Sequence, residues 1–303
     1  MSGGGTQERD QHLFGAGPKR LLALAGGGTL GVIELAFLAH IEALLRARHG
    51  DDPAFRLCDY FDMIGGTSIG AIIAAGLATG MTVAEITRRY LDLGPRAFRR
   101  HRWRITGLLP RYDAAPLTQV LRAQFGEMTL DSAAIRTGLL LVAHARAYGL
   151  GWKLGPERLL PISLGAGQYR RGLYGLRAPR LAGTLAFKAL MDQVADGQQL
   201  TLTLLQWFSE PALPWPINSE IGDLAGDVLD RRPLLAFQRY DMRLEVAWLA
   251  ERLREPPAAA DLLRLRAIDN PAAMPRLHAL AGEIAATQVQ PAHFPAAFDV
   301  AAA

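Results

Sequence analysis

Five consecutive residues, Gly66-Thr67-Ser68-Ile69-Gly70, set one hydroxyl between two glycines. In the pattern G-x-S-x-G a strained strand-to-helix turn thrusts the serine outward, and Gly66 and Gly70 remove side chains that would collide across the elbow. Ser68 is therefore a candidate nucleophile for acyl transfer. Its surroundings fit: Asp59-Tyr60-Phe61-Asp62-Met63-Ile64 reads as a strand running into the turn, and the small residues from Ala71 to Thr79 read as a helix. That helix can lie close to a sheet with its N-terminal amides near the hydroxyl.

A second glycine cluster, Gly26-Gly27-Gly28-Thr29-Leu30-Gly31, follows the apolar run Lys19 to Ala25. Backbone amides without side chains in front of them can meet negative charge on a tetrahedral intermediate, and losing one such donor costs about 3 kcal/mol of transition-state stabilisation. Gly26, Gly27, Gly28 and Gly31 are the candidate oxyanion donors. The same residues match G-x-G-x-x-G, which brings a dinucleotide pyrophosphate onto a helix N-terminus. A dinucleotide site needs a second strand ending in an acid about twenty residues on. Asp51 and Asp52 fall instead in the polar loop after a helix, so nucleotide or phosphate binding stands only as an alternative.

Both motifs need a rigid sheet beneath them. Lys19 to Ala25 reads as a buried strand stopped by glycine, and Val32 to Arg48 as a long helix ending in basic residues before Gly50. Thr82 with Glu85 forms a capping box that opens a helix reaching Leu93. Further strands are expected at 138–143 and 159–164, and alternating strands and helices imply an α/β fold with a mostly parallel sheet. Residues 184–303 carry helical patterns at 184–208, 242–253, 258–267 and 272–287. The expected organisation is a loose tail over 1–18, an α/β core over 19–183, and a helical C-terminal region over 184–303 packed on the core.

Taken together, the two glycine motifs, the later Pro161-Ile162-Ser163-Leu164-Gly165-Ala166-Gly167 turn and Trp215-Pro216-Ile217-Asn218-Ser219 resemble the patatin-like phospholipase family. The resemblance implies a three-layer α/β/α core and a serine esterase acting on phospholipid or other acyl-ester lipids through a Ser–Asp dyad. It implies no histidine, metal or cofactor. The family loop usually begins with Asp and carries Arg or Lys before its last glycine, where this chain has Ala25 and Leu30. The dyad aspartate belongs in an Asp-Gly-Gly or Asp-Gly-Ala motif ahead of the Ser-Leu-Gly turn, yet 147–156 reads AYGLGWKLGP with no acid. Ten glycine-rich residues are also too few for a helical crossover between neighbouring parallel strands. Either the strands at 138–143 and 159–164 are antiparallel or not neighbours, or a segment has been deleted, and the fit of both flanking halves favours deletion near 147–156. Asp196 and His144 are the stand-ins considered for the base, and both read more simply as structural or exposed residues.

The 303 residues carry a net charge of +4, enough to suit an anionic surface and too little to imply nucleic acid. Arg96 to Arg104 interleaves cations with Phe98 and Trp103, a pattern that reads first as a solvated basic loop, then as a surface for an anionic membrane, and last as one for nucleic acid. Cys58 is the sole cysteine, so no internal disulfide forms, and a reducing, cytoplasmic setting with peripheral membrane contact is expected. The opening residues do not read as a signal peptide, and the most apolar run noted, Ile69 to Met81, is too short to span a bilayer. With the dyad aspartate missing, a non-catalytic lipid-binding derivative is the rival to an active hydrolase.

Overall fold

The computed structural model of the chain describes residues 4–97, 115–141, 152–168, 201–209 and 232–300. Five strands form one sheet: β1 (Lys19–Leu24), β2 (Met63–Gly66), β3 (Gly138–Leu141), β4 (Leu159–Leu164) and β5 (Gln238–Tyr240). Their order is β3-β2-β1-β4-β5 and every pairing is parallel. Parallel strands must return over a face of the sheet, so helices cover it in the expected α/β/α layering. Leu22, Leu24, Ile64, Leu160, Ile162 and Leu164 are accordingly buried.

The return from β1 to β2 is helix α2 (Gly31–Arg48), whose Val32, Ile33, Leu35, Phe37, Leu38, Ile41 and Leu45 are sealed from solvent. At roughly 1.5–3 kcal/mol for each large side chain removed from water, this helix is a major apolar contribution among the described residues. By length and composition α2 could also cross a bilayer, a candidate that attention to Ile69–Met81 passes over. Here it packs mainly against the helix Met274–Gln288, so the C-terminal region shares one core with the sheet. After β2 come α4 (Ile69–Ala78), α5 (Val83–Ala97) and α6 (Ala115–Phe125); α3 (Leu57–Tyr60) is one turn before β2, where a strand was expected to begin. The capping box forms as read, Glu85 accepting the Thr82 amide at 2.9 Å and the Thr82 hydroxyl accepting the Glu85 amide at 3.2 Å. Cys58 is a core residue, its thiol pushed up to about 12 by burial first and Asp59 second.

Three expectations change. Strands β3 and β4 are parallel but not neighbours, since β2 and β1 lie between them, and the crossover argument for a deletion therefore loses its premise. The helical C-terminal region also contributes β5, whose three residues are all buried beside β4 and are too few to carry a periodic signal. The supposed loose tail contains helix α1 (Gly4–Phe14), tied down by polar anchors rather than an apolar stripe. Glu8 accepts from Arg136 at 2.9 Å, and His12 meets Asp62 at 3.1 Å.

Asp62 locks the start of β2 to the start of β1. Its carboxylate accepts the Arg20 amide at 2.8 Å and two guanidinium nitrogens at 2.8 and 2.9 Å, all buried. Burial alone would raise this carboxyl; the hydrogen bonds from His12 and Arg20 overcome it and hold it below the usual range. A depressed folded value contributes stability that is present above the unfolded value of about 3.9 and is lost as pH falls through the folded one. Asp62→Asn leaves the Arg20 cation buried without its counter-charge, an expected loss of about 3–5 kcal/mol. Urea unfolding at neutral pH should show the midpoint falling at unchanged slope, with the gap to wild type closing in acid.

Candidate active site

The chemistry-bearing motifs meet where β1 and β2 end. Ser68 has φ 52° and ψ −120°, a conformation costing an L-residue about 1–3 kcal/mol unless its surroundings impose it. Only Asp51 shares a positive φ among the described non-glycine residues. The surroundings do impose it: a Cβ on Gly66 would run into the Gly70 carbonyl, and one on Gly70 would lie 2.6 Å from the Ala25 oxygen and 2.8 Å from that of Leu24. The elbow is thus pressed against the end of β1. The Ser68 side chain stands exposed at its tip.

The glycine loop abuts the same residue, for a Cβ on Gly26 would fall 2.8 Å from the Thr67 oxygen and 2.9 Å from Ser68 Cβ. Within the loop, Ala25 donates to Leu164 at 3.2 Å, Leu30 to Gly27 at 3.1 Å, and the Gly31 amide to the Gly28 carbonyl. The Gly31 amide is therefore engaged. Among the described residues no acceptor takes the amides of Gly26, Gly27 or Gly28, nor that of Ile69 after the serine. These amides lie at the N-termini of α2 and α4, where the helix dipoles add to their positive potential. What the arrangement can do is stabilise an anion forming next to the Ser68 hydroxyl.

Several supporting residues escaped the sequence reading. The Tyr90 hydroxyl of α5 donates to the Gly28 carbonyl, and burial together with Glu34 pushes its ionisation above the usual range. The turn after β4 packs Ala166 against Gly27. That turn is held by Asp241, which accepts the Gly167 amide at 2.9 Å and pairs with Arg239 at 2.7 Å, while Arg239 reaches Ser163 Oγ at 2.7 Å. Glu34, one turn into α2, is wholly buried beside this pair, and neither of its oxygens has a hydrogen-bond partner. A single Glu inside an otherwise apolar helical stretch was the available signal.

A narrow apolar groove begins at Ile69 and runs between α4, α5 and α6, lined by Ile73, Gly76, Ile86, Tyr90 and Leu121. A larger cavity of about 670 Å³ opens at the other end of the sheet around Lys19, Arg20 and Asp62. In open α/β sheets ligands bind beyond the carboxyl ends of the strands, where the glycine loop and elbow lie. The dinucleotide alternative lacks its second element, since β2 ends in Gly66 and the elbow without an acid.

Comparison with known proteins decides the family, because a profile described as patatin-like phospholipase matches residues 22–195, more than half of the chain. The chain belongs to the patatin-like phospholipase family. Among similar proteins are a cGAMP-activated phospholipase of Escherichia coli, 36% identical over 115 residues that cover 36% of this chain and 32% of that protein, and patatin-like protein 1 of Oryza sativa subsp. indica, 40% identical over 119 residues covering 35% and 28%. An intracellular phospholipase A2 of Caenorhabditis elegans is 37% identical over 110 residues, covering 36% of this chain and 9% of that protein. The chain thus spans a third or less of the length of these relatives. Within this patatin-like scaffold, Leu30 is core and Ala25 carries a ladder bond, so the loop closes without the usual Asp and Arg or Lys. No described side chain hydrogen-bonds the Ser68 hydroxyl. His144 and Asp196 lie outside the described residues, as does all of the Arg96–Arg104 stretch beyond Ala97.

Complete burial pushes the Glu34 carboxyl well above the usual carboxylate range, with Asp241 adding to it and the Ala25 amide and Arg239 opposing. Arg239 is already paired with Asp241, so the protonated form of Glu34 is favoured to higher pH than in water. An unfolded glutamate titrates near about 4.3, hence the wild type loses stability as pH rises from there through the folded value. Glu34→Gln removes that loss, and thermal melts should show the variant gaining on wild type as pH rises from about 4 through the folded value. A gap independent of pH would mean that the carboxyl is ionised in the folded protein.

Proposed function

We propose that this patatin-like chain is a serine acyl hydrolase of lipids, in which Ser68 attacks an ester carbonyl and the amides of Gly26, Gly27 and Gly28 receive the oxyanion. One observation carries the reading: the strained, exposed Ser68 touches Gly26, whose amide and the next two have no described acceptor. In the first half-reaction Ser68 Oγ bonds to the acyl carbon as its proton leaves, and the alcohol departs with a proton, leaving an acyl ester on Ser68. Water repeats the attack and releases the fatty acid. The groove starting at Ile69 is almost wholly apolar and, at about 60 Å³, has room for the first few carbons of an acyl chain. Phospholipids suit a chain similar to a cGAMP-activated phospholipase and an intracellular phospholipase A2, and the cations from Arg96 to Arg104 would favour an anionic bilayer surface. A cytoplasmic, peripheral location agrees with the lone buried Cys58.

The absence of an acid from 147–156 motivates the second reading, a lipid-binding derivative that turns nothing over. Reaction with a fluorophosphonate probe separates the two. The hydrolase reading expects label on Ser68, none on Ser68→Ala, and ester hydrolysis reduced in that variant by about 10³-fold or more. Hydrolysis that survives Ser68→Ala unchanged, or a Ser68 that never takes the probe, would sink the hydrolase.

A further inference from the structure

The glycine loop is held on its outer side by a segment far away in sequence. Thr29 is fully buried; its amide donates to the Ile268 carbonyl at 2.9 Å and its hydroxyl to the Ala267 carbonyl at 3.1 Å. Gly28, at φ +54°, has no room for a Cβ because the Ile268 carbonyl fills that place. The segment is itself anchored, since Arg266 Nε donates to the Leu244 carbonyl at 2.8 Å and the Leu244 amide donates to Gln168 at 2.7 Å, next to the turn that supports Gly27. Residues 266–268 lie beyond the stretch matched by the family profile, which ends at residue 195.

We propose that residues 266–268 form a strap that fixes the oxyanion loop, and that Thr29 is the positioning residue through which the C-terminal region sets the geometry of the Gly26–Gly28 amides. The inference rests on the hydrolase reading for its catalytic consequence. Its structural basis does not depend on that reading. Two bonds from one residue to consecutive carbonyls fix both the position and the rotation of the peptide next to Gly28. Remove the hydroxyl and one bond remains, about which the loop can turn. Donors placed for an oxyanion must hold within about 0.5 Å, so a small rotation slows the step that builds negative charge and leaves substrate affinity alone.

Thr29→Val keeps the shape and loses the hydroxyl, whereas Thr29→Ser keeps the hydroxyl. Two measurements on the full chain test the idea together: the rate of fluorophosphonate labelling at Ser68 and amide exchange in the peptide covering 25–31. Exchange in the helix Met274–Gln288 serves as the control for folding. The expected result for Thr29→Val is labelling slowed about five- to tenfold, the scale of one lost buried hydrogen bond, and faster exchange in 25–31, with Thr29→Ser restoring both. On a soluble short-chain ester kcat should fall with KM unchanged. The strap is overturned if Thr29→Val exchanges and labels like wild type, or if Thr29→Ser is as impaired as Thr29→Val. Should wild type itself take no label, the hydrolase reading falls, and exchange alone judges the strap: unchanged exchange in Thr29→Val overturns it.

Discussion

Two strand-to-helix turns press backbone against backbone with no side chain between them, and the rest of the site follows from that contact. Gly70 rests on the last carbonyls of β1, and Gly26 rests on Thr67 and Ser68. The approach is possible because β1 and β2 are adjacent and parallel in a register that pairs Leu24 with Gly66, so both turns leave the sheet at one level. A side chain at any of these glycines would push the turns apart and carry the unengaged amides away from the hydroxyl. The glycines are thus a requirement of closeness more than of flexibility.

Closeness of this kind needs a rigid frame, and buried charge supplies part of it. The Arg20–Asp62 pair fixes the entry ends of β1 and β2, and Arg239–Asp241 fixes the exit of β4, whose Ala166 backs Gly27. Such pairs gain little over apolar packing, but their hydrogen-bond geometry admits one arrangement where packed methyl groups would accept several. Both clusters sit at strand ends, where backbone groups leave the ladder and need partners. Asp241 shows this directly by accepting the Gly167 and Met242 amides.

The local features were legible in the sequence: the elbow, the glycine loop, the apolar helix behind it and the capping box at Thr82 each follow from a few adjacent residues. The sheet order was not. The sequence leaves open whether the strands at 138–143 and 159–164 are neighbours, and in the sheet β1 and β2 stand between them. Strand β5, with three residues, carries no period to read, and α1 is held by Glu8 and His12 through partners at Arg136 and Asp62 that only the fold brings near. The same holds at the site. Nothing adjacent to Tyr90, Asp241 or Ala267 announces that it supports the loop, since Tyr90 and Asp241 act across a long stretch of chain on backbone atoms and Ala267 acts through its own carbonyl.

The conformation at Ser68 bears on the difference between the two halves of the chemistry. A strand can enter a helix through many turns that leave every non-glycine residue at negative φ, so the fold alone does not call for the strained one. It persists because Gly66, Gly70 and Gly26 remove every competitor for the space. What it gains is a hydroxyl exposed at the tip of the elbow, on a residue packed closely against Gly26. The amides of the glycine loop come from the way the backbone closes, so they survive the exchange of the customary Asp and Arg or Lys for Ala25 and Leu30. A general base is different in kind, a single side chain carried by its own segment, and can be lost without disturbing the turn. In the proposed hydrolase, anion stabilisation and nucleophile activation are therefore separable, and the strained conformation of Ser68 supports the first of them.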